Sequence, residues 1–358
     1  MKKVAMAAGA ALLAGFSGGA AAQSAVTLYG LLDIGYVREG GGVAGAVNKI
    51  TSGMSNGSRF GFKGSEDLGG GLSAQFLMEG GVQLDIGASG QGGALFGRQI
   101  YVGLSSTTVG TLLLGRQYTP EYGVLVLADP FATGLAGDAA NLLPNTGNAS
   151  SRMDNAVKYI SPNLSGFTGE LAYGAGEVAG ANKAGQQWGA AVGYTGGPFA
   201  VKLGYHLRNN DTALVQNTTG RTTLLAATYN FDVFKAHLGY GVNKGQNSSP
   251  LRNAANPYGA AVAPVASNDS RDLLLGVSVP LGAHTLLASY IRKDDKRALN
   301  QDATQWALGY RYALSKRTDL YSSYAHINNK NGAGYTVGSS IESGSGNTAF
   351  SVGMRHVF

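Results

Sequence analysis

Apolar and polar residues alternate along most of the chain beyond residue 23. Between residues 26 and 36 every even position is apolar or glycine, whereas Thr27 and Asp33 stand at odd positions. The same period of two returns at residues 199–206 and 305–312. Such alternation is typical of a strand with one apolar and one polar face. Helical spacing is not sustained in any window, so the sequence predicts an all-β fold.

The alternating segments predict about sixteen strands joined by connections of unequal length. Four long connections, at 38–57, 119–154, 244–270 and 328–346, contrast with short ones rich in Gly, Pro and Asn. Short turns at one end and long loops at the other are typical of a transmembrane antiparallel β-barrel. The predicted strands are 25–37, 58–64, 72–85, 95–105, 111–118, 155–161, 167–174, 186–194, 199–207, 221–230, 234–243, 271–279, 284–292, 303–312, 318–327 and 347–357.

The first 22 residues have the three parts of an export signal. Lys2 and Lys3 precede an apolar stretch at residues 4–16, and small residues follow up to Ala22. This stretch is shorter than the roughly 20 apolar residues that a membrane-spanning helix needs. We therefore expect a cleaved signal peptide at 1–22 and a single barrel domain at 23–358.

Composition narrows the chemistry further. The chain has 358 residues, 56 glycines, no cysteine and 13% charged residues, with a formal net charge of +6. The absence of cysteine excludes disulfides and thiolate metal sites, and the five histidines lack metal-ligand spacing, so no metal or cofactor is expected. No basic run of the kind that binds nucleic acid is present. A closed barrel of about sixteen strands is too wide for side chains to fill, and an aqueous channel remains.

Several motifs resemble the general diffusion porins of Gram-negative bacteria, especially the trimeric porins of beta-proteobacteria. They occur in the family's order, from the start of the expected mature chain to the last residue. The motifs are QSAVTLYG at residues 23–30, SRFGFKG followed by EDLG at 58–69, YALSKRT at 312–318 and VGMRHVF at 352–358.

This resemblance implies a homotrimer of sixteen-stranded barrels in the outer membrane, through which ions and small hydrophilic solutes diffuse passively. It also implies that the third long loop, here 119–154, folds into the lumen and narrows it. The loop's apolar content, as at residues 124–127, agrees with an inward course. A connection of this length without regular structure is uncommon unless it has a function.

The expected site is an electrostatic constriction. Arg59 and Lys63 share a parity opposite Phe60 and Phe62, so both cations are expected to face the lumen. A cation on the lipid face near the midplane would cost about 2–4 kcal/mol. Arg152 is also expected to face the lumen, because its position in the alternation is likewise opposite to apolar residues. By resemblance, Arg59, Arg98 and Arg152 match the arginines that form a cationic ladder on the porin wall, and acids of the inserted loop, Asp129, Asp138 and Glu121, should oppose them.

Two cations do not fit the alternation. Arg98 shares its parity with Ile100 and Val102, and Arg116 shares its parity with Leu112 and Leu114, which are apolar positions. A β-bulge, or a position near a loop, would allow the side chains of both arginines to face the lumen despite this parity. The basic excess predicts a modest preference for anions.

The last residue, Phe358, ends an alternating strand. A terminal aromatic in this setting resembles the assembly signal read by the barrel-insertion machinery, the alternative being an ordinary strand that ends in Phe. Two other functions stay open at this point: a barrel enzyme, which needs a reactive Ser–His pair at the rim, and a secreted adhesin, which would show a fixed repeat.

Overall fold

Antiparallel strands make up most of the described chain, which comprises residues 25–145 and 150–358 of a computed structural model. The expected signal segment lies outside these residues. The strands are β1 (Ala25–Gly40), β2 (Val47–Ser52), β3 (Arg59–Gly69), β4 (Leu72–Gln83), β5 (Ala88–Ser89), β6 (Gln99–Ser106), β7 (Gly110–Tyr118), β8 (Arg152–Met153), β9 (Ala156–Ile160), β10 (Phe167–Gly174), β11 (Gln187–Gly196), β12 (Phe199–Arg208), β13 (Gly220–Asn230), β14 (Lys235–Ser249), β15 (Ser267–Leu281), β16 (His284–Asp295), β17 (Ala303–Ala313), β18 (Thr318–Asn329) and β19 (Thr348–Val357).

Sixteen of these strands form a closed barrel, as the sequence predicts. The last strand, β19, pairs with both β18 and β1, and the β1–β19 register runs from Leu31–Val357 to Gly40–Thr348. Closure pairs the first strand with the last. An unpaired edge would be unfavourable because lipid offers its backbone groups no hydrogen-bond partner. The short strands β2, β5 and β8 extend or flank the wall beside β1, β4 and β7.

The two faces of the strands differ as the alternation predicts. Leu28, Val192 and Leu308 are each more than half exposed on the outer face. Polar residues such as Gln305 and Ser351 are fully buried on the inner face. None of the helices in the described part of the chain has the length and hydropathy needed to span a bilayer.

Connections at one end are short and those at the other end are long. Gly70 and Gly71 alone join β3 to β4, whereas residues 119–155 join β7 to β9. The structure also lengthens several predicted strands: β14 and β15 continue to Ser249 and begin at Ser267, because polar residues beyond the apolar segment still pair. The predicted strand 95–105 begins only at Gln99, after a loop at 84–98.

The connection at 119–155, named L3 here, folds inward. Its helix α1 (Pro120–Ala128) begins where Thr119 Oγ1 accepts a hydrogen bond from Tyr122 N, with Pro120 at the first helical position, a favourable arrangement for starting a helix. Val124 and Phe131 are fully buried. The apolar core therefore lies inside the barrel, between L3 and one side of the inner wall.

Five wall glycines make room for L3. A Cβ atom at any of them would lie 3.1 Å or less from an L3 side chain, closer than packed atoms normally come. The contacts are Gly189 with Pro120, Gly204 with Val124, Gly239 with Ala128, Gly276 with Pro130 and Gly309 with Phe131. These glycines form a track across β11, β12, β14, β15 and β17, and we name it the glycine seat.

The second barrel strand is interrupted next to L3. Residues 53–58, between β2 and β3, are held by Asp33, whose carboxylate accepts hydrogen bonds from Ser55 N (3.1 Å) and Asn56 N (3.0 Å). Met54 O accepts a hydrogen bond from Leu135 N of L3 at 2.6 Å. This segment positions the first residue of β3, Arg59, beside the loop.

Candidate functional site

A cavity of about 280 Å³ lies between L3 and the wall that carries β3, β7 and β8. Three arginines reach it from separate parts of the chain. Its lining comprises Asn56, Gly57, Arg59, Arg98, Tyr118, Tyr122, Val126, Ala132, Thr133, Asn145, Ser151, Arg152 and Ser340. The structure thus brings together the three arginines that the resemblance singles out.

Each arginine is held by a different neighbour. Arg59 Nε donates to Gly57 O at 3.0 Å, and Arg98 Nε donates to Glu79 Oε1 at 2.8 Å. The Arg152 guanidinium lies 4.9 Å from the centre of the Tyr118 ring, a cation–π distance. Arg98 escapes the alternation because β6 begins only at Gln99, so its side chain is not bound to the outward face of that strand.

Tyr118 joins two of the arginines, and the sequence analysis missed it. Its hydroxyl accepts hydrogen bonds from Arg98 Nη2 at 2.6 Å and from Arg152 Nη2 at 3.3 Å. Its ring stacks on Tyr122 at 4.8 Å. An acceptor shared by two cations offsets part of their repulsion. The available signal was its place at the end of β7, directly before L3.

Lys63 and Arg116 lie away from the cavity lining. Lys63 is four residues along β3 from Arg59, which corresponds to about 14 Å toward the short-turn end, and its Nζ lies 5.3 Å above the Tyr29 ring. Arg116 donates to Gly97 O at 2.8 Å and forms an ion pair with Asp154. Neither cation is among the described residues that line the cavity.

The three acids expected to oppose the arginines are not among the described lining residues of the cavity. The Asp129 carboxylate accepts hydrogen bonds from the backbone N–H groups of Phe131, Thr133 and Ala139, all in L3. Asp138 accepts from Ala140 N and from Arg252 Nη1. Both carboxylates are buried, because they stabilise the fold of the loop itself.

Glu121 is also buried, on the wall side of α1, and its Oε2 has no hydrogen-bond partner among the described residues. Burial raises the pKa of Glu121 to about 8. Burial, with the nearby Asp138, raises the pKa of Asp129 to about 7. Buried carboxyls avoid ionisation because the charged form loses its hydration, so these groups supply little negative field.

The charge around the cavity is therefore one-sided. Among the described lining residues there is no carboxylate, and the adjacent acid is Glu79, which pairs with Arg98 and lies 4.0 Å from Arg59 Nη1. Three guanidinium groups and one carboxylate leave a net charge of +2. Farther along the wall, Glu170 pairs with both Lys158 (2.8 Å) and Lys202 (2.6 Å).

Phe358 closes the seam of the barrel. Its N–H donates to Gly30 O at 3.0 Å and its carbonyl accepts from Gly30 N at 3.1 Å. Its ring occupies the space that a Cβ at Gly30 would need. The last residue thus ties the final strand to the first.

Comparison with known proteins agrees with this geometry. Residues 8–332 match the Gram-negative porin family. The chain is 34% identical to an outer membrane porin of Bordetella pertussis over the full length of both chains, and 33% identical to outer membrane porin protein 32 of Delftia acidovorans over 96% of each. The anion-selective porin from Comamonas acidovorans matches with a TM-score of 0.75 and 29% identity, covering 94% of this chain and all of that one. The chain belongs to the Gram-negative porin family and is a passive channel of the outer membrane.

Proposed function

We propose that this porin passes anions in preference to cations, and that Arg59, Arg98 and Arg152 set that preference. The observation that carries the proposal is a narrow cavity with three guanidinium groups and, among its described lining residues, no carboxylate. The solved porin of Comamonas acidovorans, which matches over the whole of its length, is itself described as anion-selective.

The expected preference is modest. An anion about 4 Å from one unpaired guanidinium gains about 1 kcal/mol in a water-like medium, which is a factor of about five in local concentration. Salt weakens this attraction because the Debye length is about 10 Å at 0.1 M. The solutes are therefore small hydrophilic anions, with cations entering less often.

Substitution of the arginines tests the proposal. Arg59→Gln and Arg152→Gln should each lower the chloride-to-potassium permeability ratio by up to about fivefold, with the double variant lower than either. Lys316→Gln, at an exposed turn between β17 and β18, is the matched control and should leave the ratio unchanged. An unchanged ratio in the double variant would overturn the assignment.

Further parts of this proposal concern export and assembly. Residues 1–22 act as a cleaved signal peptide, three copies of residues 23–358 form a homotrimer in outer-membrane lipid, and Phe358 is read by the barrel-insertion machinery. An outer membrane protein of Vibrio cholerae with the same fold is described in a trimer form. Three equal conductance steps per insertion event would support the trimer, and single isolated steps would contradict it.

We propose no catalytic role. The alternative, a barrel enzyme, predicts hydrolysis of lipid or ester substrates by the purified protein. Hydrolysis of such a substrate by protein that also conducts ions would support an additional enzymatic activity. Without such hydrolysis, channel activity alone is proposed.

A further inference from the structure

The helix α1 presents one apolar and one aromatic side chain to the cavity, beside polar residues of L3 such as Thr133 and Asn145. Val126 and Tyr122 stand four positions apart on α1, so they share one face of the helix. Both line the cavity with the arginines, and Val126 keeps 36% of its surface exposed. Val124 and Leu125, in the same helix, are fully buried against the wall and core. An apolar side chain thus stays exposed in the cavity that the three arginines line.

The constriction therefore combines two unlike walls. One carries positive charge from Arg59, Arg98 and Arg152, and the other carries an apolar patch of Val126, the Tyr122 ring and Ala132 among polar neighbours such as Thr133. The cavity volume of about 280 Å³ is near the lower end of small-molecule sites, about 300 Å³. It has room for a solute of about one ring in size, and the lining residues of both walls border that space.

We propose that the constriction selects among anions for monocarboxylates attached to a compact apolar group, such as an aromatic ring, over polyhydroxylated monocarboxylates of the same charge. The proposal rests on the anion preference proposed above. A guanidinium binds a carboxylate through two parallel hydrogen bonds, and the apolar group leaves water as it contacts Val126 and Tyr122. A sugar acid gains the same charge contact but loses hydration of its hydroxyl groups at the apolar wall.

Benzoate and gluconate are suitable probes because each carries one carboxylate, and only benzoate is apolar beyond it. The measurement is the concentration of each that halves the chloride current through the full-length porin in a planar bilayer. We expect benzoate to act at a concentration at least about fivefold lower than gluconate, since burying one methylene-sized group is worth about fourfold. Equal half-blocking concentrations would overturn the inference.

Val126→Thr isolates the apolar wall because it replaces one methyl group with a hydroxyl in a side chain of the same shape. It should raise the half-blocking concentration of benzoate about fourfold. It should lower that of gluconate, whose hydroxyl groups gain a polar neighbour at that wall. Val126→Ala, which adds no polar group, should act on benzoate in the same direction. Val215→Thr, in an exposed loop where Val215 is 55% exposed, is the matched control. Equal effects of Val126→Thr on both anions would contradict the proposal.

The chloride-to-potassium permeability ratio, recorded in the same membranes, separates this inference from the proposed function. Chloride preference with equal block by benzoate and gluconate overturns the inference alone. Potassium preference overturns both. Chloride preference with selective block, lost in Val126→Thr, supports both.

Discussion

Replacing Gly309 with valine should dislodge L3 from the inner wall. Gly309 lies on β17, and a Cβ there would be 2.6 Å from Phe131 Cε1 and 3.3 Å from Leu287 Cβ. Phe131 is fully buried, and Gly137 on its other flank is equally close to the ring. The ring therefore has no space to move within the packed loop, and the added side chain displaces the loop itself.

The magnitude follows from overpacking. Extra methyl groups in a well-packed core cost about 1–3 kcal/mol, which shifts the equilibrium between docked and displaced L3 by about 5- to 150-fold. An effect of the substitution on the strand itself would not explain displacement of L3, because valine is favoured over glycine in strands. The four other contacts of the glycine seat still hold L3, so we expect partial displacement rather than loss of the barrel.

Single-channel recording in a planar bilayer measures the effect. Gly309→Val should raise the open-channel conductance or its noise relative to the native porin, since L3 narrows the lumen. Gly169→Val is the matched control, because a Cβ at Gly169 meets only Ser161 Oγ at 3.9 Å. Adding Phe131→Ala to Gly309→Val should perturb the channel less than the sum of the two single substitutions. Native conductance and noise in Gly309→Val would refute the argument.

Three further outcomes are expected. Raising the pH from about 6 to about 9 should loosen L3 and increase current noise, because buried Glu121, with its pKa raised to about 8, keeps a proton that a displaced, hydrated carboxyl with a pKa of about 4.3 has lost. Glu121→Gln should reduce that change, with the remainder due to Asp129, whose pKa is raised to about 7; an undiminished change would count against it. Tyr118→Phe should lower the chloride-to-potassium ratio, since hydrogen bonds to charged groups contribute about 1.5–3 kcal/mol, whereas Tyr122→Phe, whose hydroxyl contacts Thr133, should not. Deletion of Phe358 should reduce the amount of heat-modifiable folded porin on a gel, and normal assembly would contradict its role.

The barrel was predictable from the sequence because every strand must show lipid an apolar face. Apolar residues therefore recur at every second position of each strand, and this alternation stops where the strand leaves the lipid. Strands such as β14 and β15 were therefore predicted too short on the long-loop side. Lys244 and Asp269, joined by an ion pair of 2.6 Å, belong to β14 and β15 but carry no apolar signal. The inward course of L3 followed from its length, its apolar content and the family resemblance.

The constriction was predictable only in part. Arg59 lies on a regular strand, where parity indicates its face. Arg98 precedes its strand, so parity misplaced it, and the resemblance was the better guide. The hydrogen-bond partners of Asp129 are backbone N–H groups of a loop whose path depends on contacts with distant strands. No local sequence pattern predicts these partners. Tyr118 has the same difficulty, since its function depends on two arginines that are 20 and 34 residues away along the chain.

The zero-current potential across a potassium chloride gradient tests the central claim most directly. The native porin is placed in a planar bilayer with unequal salt on the two sides, and the voltage that stops the current is read. A net charge of +2 around the cavity between L3 and the wall predicts a sign that corresponds to chloride permeating faster than potassium, with the preference shrinking as salt rises. A potential of the opposite sign, or membranes that pass no current, would contradict the account.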